Sequence, residues 1–260
     1  APDLSFLDET CLLAELLLPL PTFREVPRAA QLPLAELTGS LCSAAASAAA
    51  DSPEAEQAWK LLLLHHRLLL WAPAATRAAG RARRRAQQEL VLDRLGRAVR
   101  GDWEGLLEEA QAEATAARTR RAGAAASTGL AGKALAGEVI RRVSLGDLGR
   151  AAQLLGQAKV AAPSPEVRDE LQSLLVTLAA ERGLLPTDHS SDEEVPARDL
   201  ATALRKAPRS SGAGPSGSRF THWQACQLSA SSMAALGQVV NRVAAGRVPT
   251  ETAAALALTC

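Results

Sequence analysis

Residues 52–71 read SPEAEQAWKLLLLHHRLLLW, and the chemistry of the first three sets the fold class locally. Ser52 is a capping side chain, Pro53 suits the first helical position because its missing N–H has no intrahelical partner to lose, and Glu54 complements the positive end of the helix dipole. The stretch predicts a helix running to about Trp71 and stopped before Pro73. Ala55, Trp59, Leu62, His66 and Leu69 recur at helical spacing, so they are expected to share one core-facing stripe. Adjacent helical side chains diverge by ~100°, so one of His65 and His66 is expected to be packed and the other exposed, and the two cannot jointly grip a metal.

Composition extends the helical reading to the whole chain. Of the 260 residues 47% are apolar, which is ample for a core, yet aromatic residues are only 3%, with no Tyr and a single Met. A core built from Ala and Leu favours helix over strand. The expectation is an all-α protein, an irregular bundle of helices and hairpins with a flexible acidic linker and a small C-terminal helical segment. Residues 74–121 read as two helices hinged at Arg100-Gly101-Asp102, with Asp102 capping the second and Trp103 and Leu106 on its buried side. Residues 122–132, rich in Ala, Gly, Ser and Thr, read as a loop or a weakly held helix end. Ser144 and Asp147 form a capping box for a helix through Leu155; the run Ala162-Pro163-Ser164-Pro165-Glu166 then turns the chain into a second helix that ends near Gly183. The N-terminal helical region thus spans 1–183, including a hairpin at 138–183. Residues 184–199 (LLPTDHSSDEEVPARD) form an acidic, proline-bounded linker. Beyond it come a short helix over 197–207, a long helix over 221–245, and a last helix from Thr250 that is expected to pack against segments that follow.

The charge pattern narrows the function classes. Net charge is only +1, but residues 1–60 hold nine acids against three bases and residues 200–260 hold six bases against one acid, so the two ends are expected to prefer different partners. Residues 77–100 carry eight arginines (77, 81, 83, 84, 85, 94, 97 and 100) against Glu89 and Asp93, enough for an electrostatic footprint on nucleic acid or an address for nuclear import, although such a charge run is more often a solvated helix face. Cys11, Cys42, Cys226 and Cys260 are far apart in sequence, with no CxxC pair and no histidine at ligand spacing. Neither a zinc site nor a disulfide framework is indicated, and an intracellular location, nuclear or cytoplasmic, fits. The apolar runs 11–20 and 61–71 are shorter than the ~20 residues that span a bilayer, and no basic segment precedes the first as in a signal peptide. A chain opening at Ala1 rather than Met is expected to be a piece of something longer.

Catalytic chemistry finds no home in the sequence. The acids Asp192, Glu193 and Glu194 sit in the linker, where solvated carboxylates neither fix a metal's geometry nor raise their pKa values by burial. The glycine-rich run 212–217 lacks the Lys-Ser/Thr of a phosphate-binding loop and follows a helix rather than a strand. No catalytic residue, metal ligand or cofactor site is assigned.

The setting of that glycine run is more informative. A short amphipathic helix with Leu200, Ala203 and Leu204 leads into residues 207–220, APRSSGAGPSGSRF; a long helix then ends in residues 240–249, VNRVAAGRVP. This resembles the segment that opens the reverse transcriptase domain of non-LTR retrotransposons, where a P-x-G-P-[SD]-G loop and a helix ending in G-x-[VI]-P precede the fingers strands. Ala213 departs from that pattern, standing where proline is usual. Residues 97–104 and the hairpin from Gly146 to Leu171 resemble, more patchily, the helical region that leads into this domain in some protist elements.

The resemblance implies a parent that copies RNA into DNA with Mg2+, of which residues 200–260 would begin the polymerase domain. The chain stops before the fingers strands and the palm, and with no Tyr it has no Y-x-D-D box. It would then be a non-catalytic accessory portion that holds RNA or DNA by the backbone, nonspecifically, through Arg81, Arg83, Arg84, Arg85, Lys206, Arg209, Gly214, Gly217 and Arg219. The alternative is a helical adaptor that binds another protein through residues 1–20 or 138–183 and has no nucleic-acid role.

Overall fold

Helix α3 (Pro53–Leu70) begins where the Ala55 N–H donates to Ser52 Oγ at 3.1 Å, with Pro53 at its first position and Glu54 and Glu56 in its first turn. It ends at Trp71, whose extended backbone pairs antiparallel with Thr22. The Phe23 N–H donates to the Leu70 carbonyl and the Ala72 N–H to the Pro21 carbonyl, each at 2.8 Å, which satisfies backbone groups the helix end would leave open. The computed structural model describes residues 4–18, 20–49, 52–73, 80–127, 194–207 and 216–257. Contacts divide the chain into residues 1–129 with 193–260, and residues 130–192. The second unit lies outside the described residues, and with it the expected hairpin at 138–183.

Among the described residues the fold is all-α. Helices α1 (Leu12–Leu17), α2 (Arg28–Ser47), α4 (Gly80–Val99) and α5 (Trp103–Ser127) accompany α3 in the N-terminal part. From residue 194 onward come α6 (Ala197–Lys206), α7 (Phe220–Trp223), a 3-10 turn (Gln224–Leu228), α8 (Ala230–Ala244) and α9 (Thr250–Ala257); α6 begins within the stretch expected as linker, whose residues 184–193 lie outside the described residues. No helix among the described residues is long and apolar enough to cross a membrane.

Helix α3 is the axis of the core because its apolar residues run all the way round, not along one stripe; Leu61, Leu62, Leu64, Leu68, Leu69 and Leu70 are all buried. One side packs with Leu12 and Leu16 of α1, Leu34 of α2, Val91 and Leu95 of α4, and Trp103 and Leu106 of α5. The other side, through Trp59 and Leu62, packs with Cys42 of α2, Leu204 of α6, and Met233, Leu236 and Val239 of α8. Both histidines are therefore buried, which corrects the expectation that one would face solvent. Of the leucines between residues 4 and 20, Leu7, Leu12, Leu16 and Leu20 lie in the core, while Leu4, Leu13 and Leu18 are partly buried.

The hinge between α4 and α5 is as read from the sequence. Gly101 adopts φ 88°, a left-handed conformation that glycine takes without a Cβ penalty, and Trp103 and Leu106 are buried beyond it. Helix α2 had no sequence assignment; it carries Pro33 near its start, where the missing N–H frees only the Ala29 carbonyl. The long helix expected over 221–245 is broken. Ser229 turns extended (φ −135°, ψ 121°) and its hydroxyl accepts the Ser232 N–H at 3.3 Å, which starts α8 afresh. Upstream of the break, the Gln224 and Gln227 side chains donate to the Leu204 and Ala201 carbonyls of α6 at 2.7 and 3.2 Å and seat the 3-10 turn.

The C-terminal helices pack onto α1, α2 and α3 within one unit and do not stand as a segment of their own. Helix α9 meets α1 and α3: Glu251 Oε1 accepts the Leu12 N–H at 2.9 Å while Oε2 lies 3.0 Å from Lys60 Nζ.

Candidate functional site

Eight arginines in 77–100 look alike in sequence, and the fold sorts them. Arg94 is buried, its guanidinium 3.6 Å over the Trp71 ring and donating to the Trp71 carbonyl at 2.7 Å. Burial pulls its pKa down to about 10, so it stays charged at neutral pH as a core cation. Arg97 donates to Asp102 at 2.6 Å and to Glu109 at 2.5 Å, clasping the α4–α5 hinge; the hydrogen bond to Asp102, then that to Glu109, raises its pKa further. Neither is free to meet a ligand.

Arg83, Arg84 and Arg85 are presented outward near the start of α4, and Arg100 is exposed at its far end. All three are exposed on the first turns of α4, and among the described residues only Arg85 has an acid partner there, Glu89 at 2.8 Å, in a solvated pair that contributes little. The first turn of α4 holds no acid. Three consecutive exposed guanidinium groups with one acid partner among them form a local excess of positive charge that a polyanion would neutralise. Arg81 belongs to the same helix, with its side chain outside the described residues, and Arg77 lies outside them altogether.

The glycine-proline bend is different from its sequence expectation where it can be followed. Arg209 and Gly214 lie outside the described residues, and Lys206 is exposed on the last turn of α6. Gly217 is buried at φ 72°, its carbonyl accepting the Thr22 hydroxyl at 2.7 Å. A Cβ there would stand 2.8 Å from Thr22 Cγ2 and 3.5 Å from Arg67 Cβ. Gly217 is therefore glycine for close packing against α3, not for an open cradle around phosphate. Arg219 is half-buried, and its backbone N–H donates to His222 Nδ1 at 3.3 Å. Both residues were expected to be backbone contacts for nucleic acid; for Gly217 the correction is that it packs against Thr22 and Arg67 and forms no open cradle.

What the bend delivers instead is a histidine cluster. The rings of His65 and His66 lie 3.8 Å apart, His66 and His222 5.3 Å, and Trp223 stands edge-on to His66 at 4.5 Å. His65 Nδ1 donates to the Leu62 carbonyl at 2.6 Å, so its Nε2 accepts from the Thr38 hydroxyl at 3.1 Å. His222 takes the opposite tautomer: Nδ1 accepts from Arg219 and Nε2–H donates to the Phe23 carbonyl at 2.8 Å. His66 Nδ1 faces Ser218 Oγ at 3.1 Å, and its buried Nε2 has no hydrogen-bond partner among the described residues. Burial pushes the pKa of His65 and of His222 down to about 4, and that of His66 well below the usual imidazole range. With both nitrogens of His65 and His222 engaged, the cluster is organised to stay neutral. No group of three or more His, Cys, Asp or Glu among the described residues is placed to hold a metal ion.

Comparison with protein-family models, curated proteins and solved structures gives no match. The functional reading accordingly rests on where this chain places its own charges.

Sequence reasoning missed the cluster because its members are far apart: Ser218 is 152 residues from His66, and Phe23 is 199 from His222. It missed the buried thiols in the same way. Cys42 and Cys226 are free and share one core cluster, and burial raises both pKa values, Cys226 to about 12.

Proposed function

We propose that this chain is a non-catalytic helical module that holds the backbone of RNA or DNA, without sequence readout, at the N-terminal turns of α4. The observation that carries the reading is the exposure of Arg83, Arg84 and Arg85 in a row on α4, with Glu89 the one acid paired to them among the described residues. Phosphates occupying that stretch would neutralise the excess charge. Lys206, exposed on α6, is a second candidate contact. The parent assignment, an accessory portion of a reverse-transcriptase-like retroelement protein, rests on the resemblance of residues 207–249 alone. Lys206, Arg209 and Arg219 stay in the proposed contact set, whereas Gly217 leaves it, because it is packed against Thr22 and Arg67.

Replacing Arg83, Arg84 and Arg85 together by alanine is expected to lower affinity for a single-stranded RNA by roughly 10- to 100-fold, about the loss of two or three phosphate contacts. The thermal midpoint of the variant is expected to stay level, since the three side chains are exposed and surface substitutions of this kind change stability little. Titration of fluorescent RNA with both proteins measures the first quantity and calorimetry the second. Equal affinity for wild type and variant would refute the proposal.

A further inference from the structure

The chain has four histidines, and three of them meet in one place. Two are on the central helix and the third is on the segment that returns from residue 216, so the cluster joins parts of the chain that are otherwise about 150 residues apart. Both contacts across that junction, His66 Nδ1 with Ser218 Oγ and His222 Nε2–H with the Phe23 carbonyl, are made by fully buried rings, so a proton added to either ring puts a cation into the seam. We infer that His66 and His222 form an acid-released latch, which holds residues 216–228 and the following helix α8 against α2 and α3 while neutral and lets them go once protonated.

The hydrogen bonds carry this one ring at a time. Protonating His222 at Nδ1 converts the acceptor of the Arg219 N–H into a second donor, so donor faces donor at 3.3 Å. Protonating His66 at Nε2 creates a buried N–H with no partner among the described residues, with the His65 ring centred 3.8 Å away. His65 is more tolerant: the Thr38 hydroxyl can turn to accept, and its other partner, the Leu62 carbonyl, is on its own helix. Release of 216–228 would give His222 and the Ser218-facing side of His66 back to water, while His65 stays between α2 and α3. Two protons are thereby linked to one opening.

The surroundings give an incoming proton no relief. The charges acting on these rings are one another's and that of Arg219, all positive. From α3 the next charged side chain is Arg67, held by the carbonyls of Leu16 and Leu18; from α2 and the 3-10 turn the facing titratable groups are the thiols of Cys42 and Cys226, neutral because burial raises them. The acids of the adjoining segments, Glu25 and Glu36, are exposed. A histidine whose folded pKa lies below its unfolded value of about 6.5 contributes stability that is complete above that pH and is lost as pH falls toward the folded pKa. The working window therefore runs from about pH 6.5 down to about pH 4, and the steepest useful part lies above the range in which carboxylates titrate.

Each linked proton multiplies the opening constant by up to about ten per pH unit, so two approach a hundredfold per unit, and the change between pH 6.5 and pH 5 is about two-hundredfold. Hydrogen exchange of the intact chain, read by peptide and corrected for intrinsic exchange chemistry, tests this from about pH 7.5 down to about pH 5. Peptides from 218–244 are expected to lose protection across the series, while those from α4 and α5 keep theirs. The variants His222→Gln and His66→Gln retain polar groups that can bond Phe23, Arg219 or Ser218 but do not titrate; each is expected to flatten the slope to at most about tenfold per unit. Loss of protection in all helices together, constant protection across the whole series, or an unchanged slope in the doubly substituted chain would each overturn the inference.

Discussion

Replacement of Gly39 by leucine is expected to unseat α8 from α2 and to cost more than about 4 kcal/mol, beyond the usual range for overpacking because backbone, not only side chain, is in the way. Gly39 lies where the two helices touch: a Cβ built there would stand 2.5 Å from Ser232 Oγ, 2.8 Å from Ser232 Cα and 2.9 Å from Ser232 Cβ. These two helices share the most extensive contact between elements among the described residues, so separating them exposes Met233, Leu236 and Val239. Alanine at 39 is expected to cost about 1–3 kcal/mol by forcing a smaller separation. An internal control is available on the partner helix. A Cβ on Gly237 meets nothing within 4 Å, so Gly237→Ala is expected to be neutral or to stabilise α8 by up to about 1 kcal/mol. Urea unfolding of the three variants, followed through helical circular dichroism, checks the order; a Gly39→Leu protein as stable as wild type would show that α8 does not pack at Gly39.

Lys60→Ala is expected to be the next most damaging change, at about 2–3 kcal/mol, because it removes a buried cation from the carbonyls of Leu7 and Thr10 and from the partly exposed Glu251. Lys60 is 4% exposed, and its Nζ lies 3.1 Å from the carbonyls of Leu7 and Thr10, 3.0 Å from Glu251 and 3.3 Å from Glu56. Desolvation alone would pull its pKa down, but hydrogen bonding and charge from Glu251 and then Glu56 hold it above the usual lysine range. One ammonium thus ties the first turns of the chain, α3 and α9 together. Lys60→Met keeps the apolar stem and separates loss of packing from loss of charge. In a double-substitution cycle with Glu251→Gln the two costs are expected to fall short of additivity by about 1 kcal/mol or more, since they remove the same interaction. Strict additivity would mean that Lys60 and Glu251 act independently.

How far the fold was legible depends on how local its causes are. The start of α3 at Ser52-Pro53, the turn at Gly101 and helix α6 were read correctly because capping, a left-handed glycine and amphipathic spacing act within a few residues. Helix α2 was passed over, and Pro33 within it gives up only one hydrogen bond. The break at Ser229 was also passed over, although the run Ser229-Ala230-Ser231-Ser232 carries a capping signal. The burial of both His65 and His66 was not legible, because it depends on α3 being enclosed on every side by elements up to about 150 residues away.

The arginines show the same limit on the functional side. Composition sees eight like charges between 77 and 100, but only the fold reveals that the Trp71 carbonyl and ring claim Arg94 and that Asp102 and Glu109 claim Arg97. The same holds for the bend after α6. Its glycines read as permissive backbone, and at Gly217 the real requirement is the space that Thr22 and Arg67 leave free.

The arginines exposed near the start of α4, 83 to 85, are proposed to meet phosphates, and the salt dependence of binding addresses this most directly. For a single-stranded homopolymer each neutralised phosphate contributes about −0.7 to the slope of log affinity against log salt, so three contacts predict a slope of about −2 or steeper. The Arg83→Ala, Arg84→Ala, Arg85→Ala protein should lose about that much of it. Binding that ignores ionic strength, or no detectable binding below about 50 mM salt, would contradict the account.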